Sequence, residues 1–171
     1  MNAKLNVRQK AKTPMLVAVM VAALAMSACG PTEQADPARP LPGVGATVTT
    51  AGFNVTLAAK SDPWVQDVAL SPWDGTRWVG VTLAVTNVSD GEQRWDSAVA
   101  VSLVDADGRA YPMVQFDDPA IRWLRAAVLP AGGQVDGLVL FEVPVGVAGL
   151  GLRVQGSVSA EGVTFELGGA R

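Results

Sequence analysis

An all-β domain of antiparallel strands, a sandwich or a barrel, is expected from about residue 46 to Arg171. Three observations carry this. Apolar and polar residues alternate with a period of two in run after run, the spacing of strands with one buried face. The runs are short and rich in Val and Thr, which suit a pleated, half-buried surface. Gly, Pro and Asp punctuate them where tight turns are needed.

The runs come in order. "ATVTT" (46–50) and "FNVTLAAK" (53–60) alternate, with a break at Gly52. "WVGVTLAVTN" (78–87) puts Val79, Val81, Leu83 and Val85 on one face and Gly80, Thr82, Ala84 and Thr86 on the other. "AVAVSLVD" (98–105) places Val99, Val101 and Leu103 on one side. "GLVLFEVP" (137–144) sets Val139, Phe141 and Val143 against Leu138, Leu140 and Glu142. "LGLRVQG" (150–156) and "GVTFELG" (162–168) finish the chain. Only "PAIRWLRAAVL" (119–129) has the makings of a helical turn, and it is too short to change the class.

"VDADGRAY" (104–111) admits two readings. Asp105, Asp107 and Gly108 resemble part of a calcium loop, but with Gly108 at its sixth position the twelfth is Val114, where a bidentate Glu is required. The calcium reading fails there. Asp107-Gly108 between alternating residues is instead the mark of a two-residue hairpin turn, with positive φ at both central positions.

Composition narrows the function classes. The chain has 171 residues, 49% hydrophobic, which after the N-terminal segment is set aside amounts to one domain with material for a core. It has no His, so the usual general base at physiological pH and the commonest metal ligand are missing. Lys4, Arg8, Lys10 and Lys12 lie upstream of Cys29, whereas all 16 acids lie downstream, against the remaining nine basic residues. An acidic body of this kind does not suit nucleic acid, and an anionic membrane surface repels it. Membrane attachment must then be covalent or through an inserted segment.

Residues 1–28 have the layout of an export signal. "MNAKLNVRQKAK" is basic, "MLVAVMVAALAM" is an apolar run of 12 residues, and the small residues Ser27 and Ala28 precede Cys29. The run is too short for an ordinary spanning helix, which needs about 20 residues. Met26-Ser27-Ala28-Cys29 resembles the cleavage motif of bacterial lipoproteins, with Met where Leu is commoner. The resemblance implies cleavage before Cys29 and a diacylglyceryl group on its sulfur. Two or more acyl chains hold stably, since each buried methylene is worth about 0.8 kcal/mol. Lipidation also accounts for a lone Cys in an exported chain. Three other readings stay open: an uncleaved anchor, a free thiol after ordinary cleavage, and a plain secretory signal cut elsewhere.

Residues 29–45, with Pro31, Pro37, Pro40 and Pro42, read as a disordered Pro-rich tether. Extended at about 3.1 Å per residue, it reaches roughly 50 Å. The expected organisation is therefore signal peptide 1–28, tether 29–45 and β domain 46–171.

The order of three pieces carries a further resemblance. "VGVTLAVTNVSDGEQRWD" is a long strand ending in Thr-Asn and a polar turn; "VSLVDADGRAY" is a hairpin ending in Tyr111; "LPAGGQVDGLVLFEVP" is a turn feeding a strand that closes on Val-Pro. Over about Ala46 to Gln155 this resembles the telokin-like, immunoglobulin-fold family of exported bacterial proteins, a domain of unknown function that includes the immunoprotective extracellular proteins of actinobacteria. The "PAGG" turn is longer than the usual Pro-Gly. The resemblance implies an immunoglobulin-like antiparallel β-sandwich with no cofactor and no established catalysis, so no catalytic residue carries over. Its motif residues have structural work to do. Asn87 suits a strand end or a turn, Gly137 suits a bulge or a close backbone approach, and Pro144 ends a strand because it cannot donate to the ladder.

Candidate chemistry is sparse. Asp117 and Asp118 are adjacent before Pro119; a solvated turn is the weightier reading over acid–base or cation-binding work. Trp64, Trp73 and Trp78 lie in one segment, "SDPWVQDVALSPWDGTRW", while Trp95 and Trp123 are scattered. Exposed Trp can stack on sugars or anchor a protein partner, but core or edge filling is the commoner fate of so large a side chain. Trp73, between Pro72 and Asp74, is the best exposed candidate, with Trp64 and Trp78 behind it. The sequons at Asn54 and Asn87 are expected to mean nothing. The expected function is that of a lipid-anchored, non-catalytic interaction module on the outer face of the cell membrane, binding an envelope protein or surface component. The alternative is a small-ligand carrier for a lipid or glycan. A hydrolase working through Asp117 or Asp118 ranks last.

Overall fold

The computed structural model describes residues 40–66, 71–116, 118–156 and 162–168, within one unit, Arg39–Arg171. The expected signal segment 1–28, Cys29 and Asp117 lie outside the described residues. In chain order the strands are β1 (Thr47–Thr50), β2 (Phe53–Ser61), β3 (Thr76–Asn87), β4 (Gln93–Trp95), β5 (Val101–Val104), β6 (Ala110–Tyr111), β7 (Met113–Val114), β8 (Ala127–Leu129), β9 (Gln134–Pro144), β10 (Gly151–Val154) and β11 (Val163–Glu166). A single turn of helix, α1 (Ser97–Ala100), lies between β4 and β5. Among the described residues no helix is long and apolar enough to cross a membrane.

The strands form an antiparallel β-sandwich. One sheet has five strands in the order β1-β2-β3-β9-β7, the other four in the order β11-β10-β5-β6, and β4 and β8 make a separate ribbon. The pairing of β3 with β9 runs from Thr76 opposite Pro144 to Thr86 opposite Gln134. The expected alternation decides which faces meet. Val79, Val81, Leu83 and Val85 of β3, with Val139, Phe141 and Val143 of β9, are all fully buried. They pack in one cluster with Leu103, Leu152, Val154 and Phe165 of the opposite sheet. Each such side chain contributes about 1.5–3 kcal/mol relative to exposure.

The turns follow local chemistry. Ala51 and Gly52 join β1 to β2 with φ of 47° and 81°, the two positive values that a two-residue hairpin requires. Asp107-Gly108 does make a hairpin, but not of two residues. Asp105 bonds to Arg109 across the loop and the Gly108 N–H donates to the Asp105 carbonyl. Only Gly108 has a positive φ, 78°. This is the three-residue loop with glycine in the left-handed position. Residues assigned to the tether also dock: the Gly45 N–H donates to Leu57 O (2.7 Å), and Pro42 O accepts from the Glu166 N–H (2.8 Å).

Two further expectations are corrected. Val99, Val101 and Leu103 do not share a strand face. Asp96 caps α1, its side chain accepting from the Ala98 N–H, and Val99 is left 52% exposed. "PAIRWLRAAVL" makes no helical turn. Trp123 bridges to Leu138 in parallel fashion, the Leu138 N–H donates to Arg122 O, and the Leu124 N–H donates to Leu138 O. Gly137 permits this approach, because a Cβ there would lie 2.6 Å from the Trp123 carbonyl carbon and 2.8 Å from Arg122 O. The expected close approach at Gly137 and the strand end at Pro144 are both present.

The segment so held covers the outer face of the five-stranded sheet. Trp78, Ile121, Trp123 and Leu140 form a second buried cluster, with Trp64, Phe116 and Leu138 half-buried against it. Its aromatic rings run in a chain: Trp64–Trp78 at 5.7 Å, Trp78–Phe116 at 5.5 Å and Phe116–Trp123 at 5.1 Å between centroids.

Candidate functional site

The candidate tryptophans part company in the structure. Trp78 lies on β3 with its side chain outward, but Phe116, Ile121 and Trp123 cover it and leave it 7% exposed. Trp64 lies across Gly80, whose missing side chain makes the room: a Cβ there would sit 2.9 Å from Trp64 Cγ. Trp64 and Trp78 are therefore packing residues of the outer cluster rather than free contacts. Trp73 is 80% exposed. Trp95 is fully buried, edge-on to Phe53 at 5.2 Å, and its indole N–H donates to Ser97 Oγ. Trp123 is buried with its indole N–H unpartnered.

Trp73 is held, though its ring is free. Trp73-Asp74-Gly75-Thr76 is a β-turn closed by the Thr76 N–H on Trp73 O, 3.0 Å. Gly75 supplies the positive φ, 80°, that a type II turn needs at its third residue. The Trp73 N–H donates to Glu142 Oε1 at 2.7 Å, and the single hydrogen of the Thr76 hydroxyl is shared between Trp73 O and the same carboxylate, both within hydrogen-bond distance. The Val145 N–H donates to Gly75 O, tying this turn to the end of β9.

Arg77 organises the same end. Its Nε donates to Asp62 Oδ1 (2.8 Å), Nη1 to Pro144 O (2.7 Å) and Nη2 to Val147 O (2.8 Å). The side chains of Arg77 and Asp62 are only 14% and 3% exposed. A buried guanidinium needs its N–H groups matched, and the carboxylate and the two carbonyls do this. Nothing in the sequence marks Arg77. The two connections at this end, β2 to β3 and β9 to β10, carry the three most exposed large apolar side chains among the described residues: Val65 (82%), Trp73 (80%) and Val145 (66%).

The other acids prove local. Asp118 accepts from the Ala120 N–H and caps a turn. The Asp105 carboxylate accepts from the N–H groups of Asp107 and Arg109 and from the Tyr111 hydroxyl. Partial burial alone would raise the Asp105 carboxyl, but the Arg109 N–H, the Tyr111 hydroxyl and the Asp107 N–H together hold it below the usual range. Burial, then the Asp105 hydrogen bond, pushes the Tyr111 hydroxyl up. Among the described residues no three His, Cys, Asp or Glu side chains gather as a metal site would need. A broad open groove of about 1070 Å³ lies between β1, β11 and Pro40–Pro42, lined by residues such as Thr47, Thr49 and Val163 and by none of the tryptophans.

A β-sandwich whose loops, not whose core, offer the exposed apolar groups is the class this structure defines. A family profile for a domain of unknown function (DUF4352) matches residues 42–164, and the chain belongs to that family. Solved structures share the fold at low identity. The yjhA protein of Bacillus subtilis aligns with a TM-score of 0.58 and 12% identity, over 74% of this chain and 99% of that one. The secreted protein MPT63 of Mycobacterium tuberculosis aligns at 0.52 and 17%, over 75% and 98%. A candidate lipoprotein of Bacillus subtilis, ycdA, aligns at 0.58 and 20% over 72% of this chain, which spans only 38% of its length. No curated protein sequence matches the chain.

Proposed function

We propose that this chain is an exported, lipid-anchored protein of the cell envelope whose telokin-like, immunoglobulin-type sandwich serves as a non-catalytic interaction module. The observation that carries the reading is the basic segment and 12-residue apolar run ending in Met26-Ser27-Ala28-Cys29, followed by a Pro-rich stretch and a β-sandwich. Support comes from two fold neighbours, one described as secreted and one as a candidate lipoprotein. The lipid on Cys29 holds the domain on the outer face of the membrane, and the loops of the sandwich meet an envelope protein or surface component. The carrier reading has less behind it. Val79, Val81, Leu83, Phe141 and Leu152 are all fully buried and fill the space between the sheets, so its one support is the open groove beside β1.

The test is the intact mass of protein extracted from membranes, native beside Cys29→Ala. A mass beginning at Cys29 with added acyl groups, lost in the variant, is expected. A mature chain without lipid overturns the anchor.

A further inference from the structure

The most exposed large apolar side chains are gathered at one end. Val65 follows β2, Trp73 precedes β3 and Val145 follows β9. Of the other exposed large apolar residues, Val99 and Val128, at 52% each, lie on α1 and β8, and Leu41 and Val44 lie in the stretch before β1. The end is also pre-shaped. Arg77 ties Asp62 to Pro144 and Val147, and Glu142 fixes the Trp73 backbone. A Trp whose backbone is already fixed loses little freedom on contact, and large, rigid aromatic side chains in such settings dominate binding energies.

Charge indicates what such an end meets. The described residues 62–66, 71–76 and 144–149 contain Asp62 and Asp74 and no Lys or Arg. Asp62 is paired with Arg77, whereas Asp74 is exposed next to Trp73. The chain after Cys29 has 16 acids against nine basic residues. Such an end is repelled by an anionic bilayer and attracted to a basic surface. Pro40, where the described chain begins, lies against β1 and β11 and not at the Trp73 end.

We infer that the Val65–Trp73–Val145 end is the docking surface of the module, and that its partner is a protein offering an apolar pocket for Trp73 rimmed by Lys or Arg beside Asp74. This rests on the interaction reading above and adds to it the surface and the chemistry of the partner. The indole fills the pocket and supplies most of the affinity, while Asp74 speeds encounter and makes it salt-dependent.

The experiment uses the full chain in the membranes of cells that produce it, with a benzophenone amino acid, a large aromatic side chain that fills the same apolar pocket, in place of Trp73 or, in separate chains, of Val99 or Val128. Each is irradiated with and without Asp74→Lys, at low salt and at about 0.5 M salt, where the screening length falls to a few ångströms. The expected result is one discrete protein adduct from position 73, reduced severalfold by Asp74→Lys and by salt, and absent from positions 99 and 128. An unchanged thermal midpoint for Asp74→Lys, a solvent-exposed turn residue, establishes that the reduction is not unfolding. Adducts with lipid alone overturn the proposal in favour of the bilayer. A protein adduct at 73 that ignores both salt and Asp74→Lys overturns the basic partner. Adducts at 99 or 128 but not at 73 overturn this surface and leave the interaction module standing; no protein adduct at any position overturns both.

Discussion

The two ends of the sandwich solve one problem, the anchoring of two connections each, in opposite ways. At one end Asn87 is fully buried. Its Nδ2 donates to the carbonyls of Gly91, Leu129 and Pro130, and its Oδ1 accepts from the N–H and hydroxyl of Ser89. Its backbone pairs with Gly132 and Gly133. At the other end Arg77 does the equivalent work with a charge, which needs Asp62 beside it. Each end has a type II turn with glycine at its third residue: Pro130–Gly133, with Gly132 at φ 72°, and Trp73–Thr76. A neutral amide draws its turns inward and closes that end. A guanidinium on a longer stem reaches farther and leaves the tips of its loops, Trp73 above all, in solvent.

That contrast can be broken from either side. The largest effect is expected for Asn87→Ala, which strands the buried carbonyl of Leu129 along with its neighbours; urea denaturation should show a loss of about 3 kcal/mol. An effect under about 1 kcal/mol would mean that water replaces the amide and the end is not closed. Gly137→Ala comes next, at about 2 kcal/mol for forcing the Arg122–Leu124 backbone away. Tryptophan emission, shifting to the red as the outer cluster loosens, reports it independently. Arg77→Ala is expected to cost about 2 kcal/mol, since Asp62 remains buried with only the more distant Lys60 Nζ, at 3.9 Å, opposite it. Faster amide exchange should be confined to residues 62–66 and 144–147, with the Asn87 end unchanged.

Smaller still is the dependence on pH at the Asp105 hairpin. Asp105 is held below the usual carboxylate range, so its contribution is present at neutral pH and lost as pH falls through its lowered value. Tyr111 is raised, so its contribution is present below about pH 10 and lost as pH rises through the raised value. Tyr111→Phe should flatten the alkaline limb of stability against pH and also lower the neutral plateau slightly, because the hydroxyl's hydrogen bond to Asp105 is lost. Last, Trp73→Ala should change stability by no more than about 0.5 kcal/mol, although it removes the largest exposed side chain of the Arg77 end.

Much of the sandwich was legible because period two sorts side chains between faces before any pairing is known. Val79–Val85 and Val139–Val143 face the core as expected, and Leu138 and Leu140 fall on the opposite face. What covers that opposite face was not legible. Phe116 and residues 118–124 reach it through the chain fold alone, so Trp64 and Trp78 stayed candidates behind Trp73. The helix at Ser97–Ala100 was missed because Val99, Val101 and Leu103 keep the alternation of a strand. The Asp96 cap was the one available signal, and a turn this short needs little else. Asn87, Gly137 and Pro144 were legible because each has special backbone or side-chain chemistry. Arg77 and Asp62 were not, since a charged pair looks like surface until the strands around it are placed.

A single residue, Pro112, separates β6 in one sheet from β7 in the other. The two leaves of the sandwich are thus bound along that side like a book at its spine. At the opposite margin lie β1 and β11, each at the end of its sheet. There Pro42 O accepts from the Glu166 N–H, and Lys60 Nζ reaches across to Leu167 O at 2.6 Å. The spine at Pro112 is held by the covalent chain, whereas this fore-edge is held by hydrogen bonds and carries the open groove beside Pro40–Pro42.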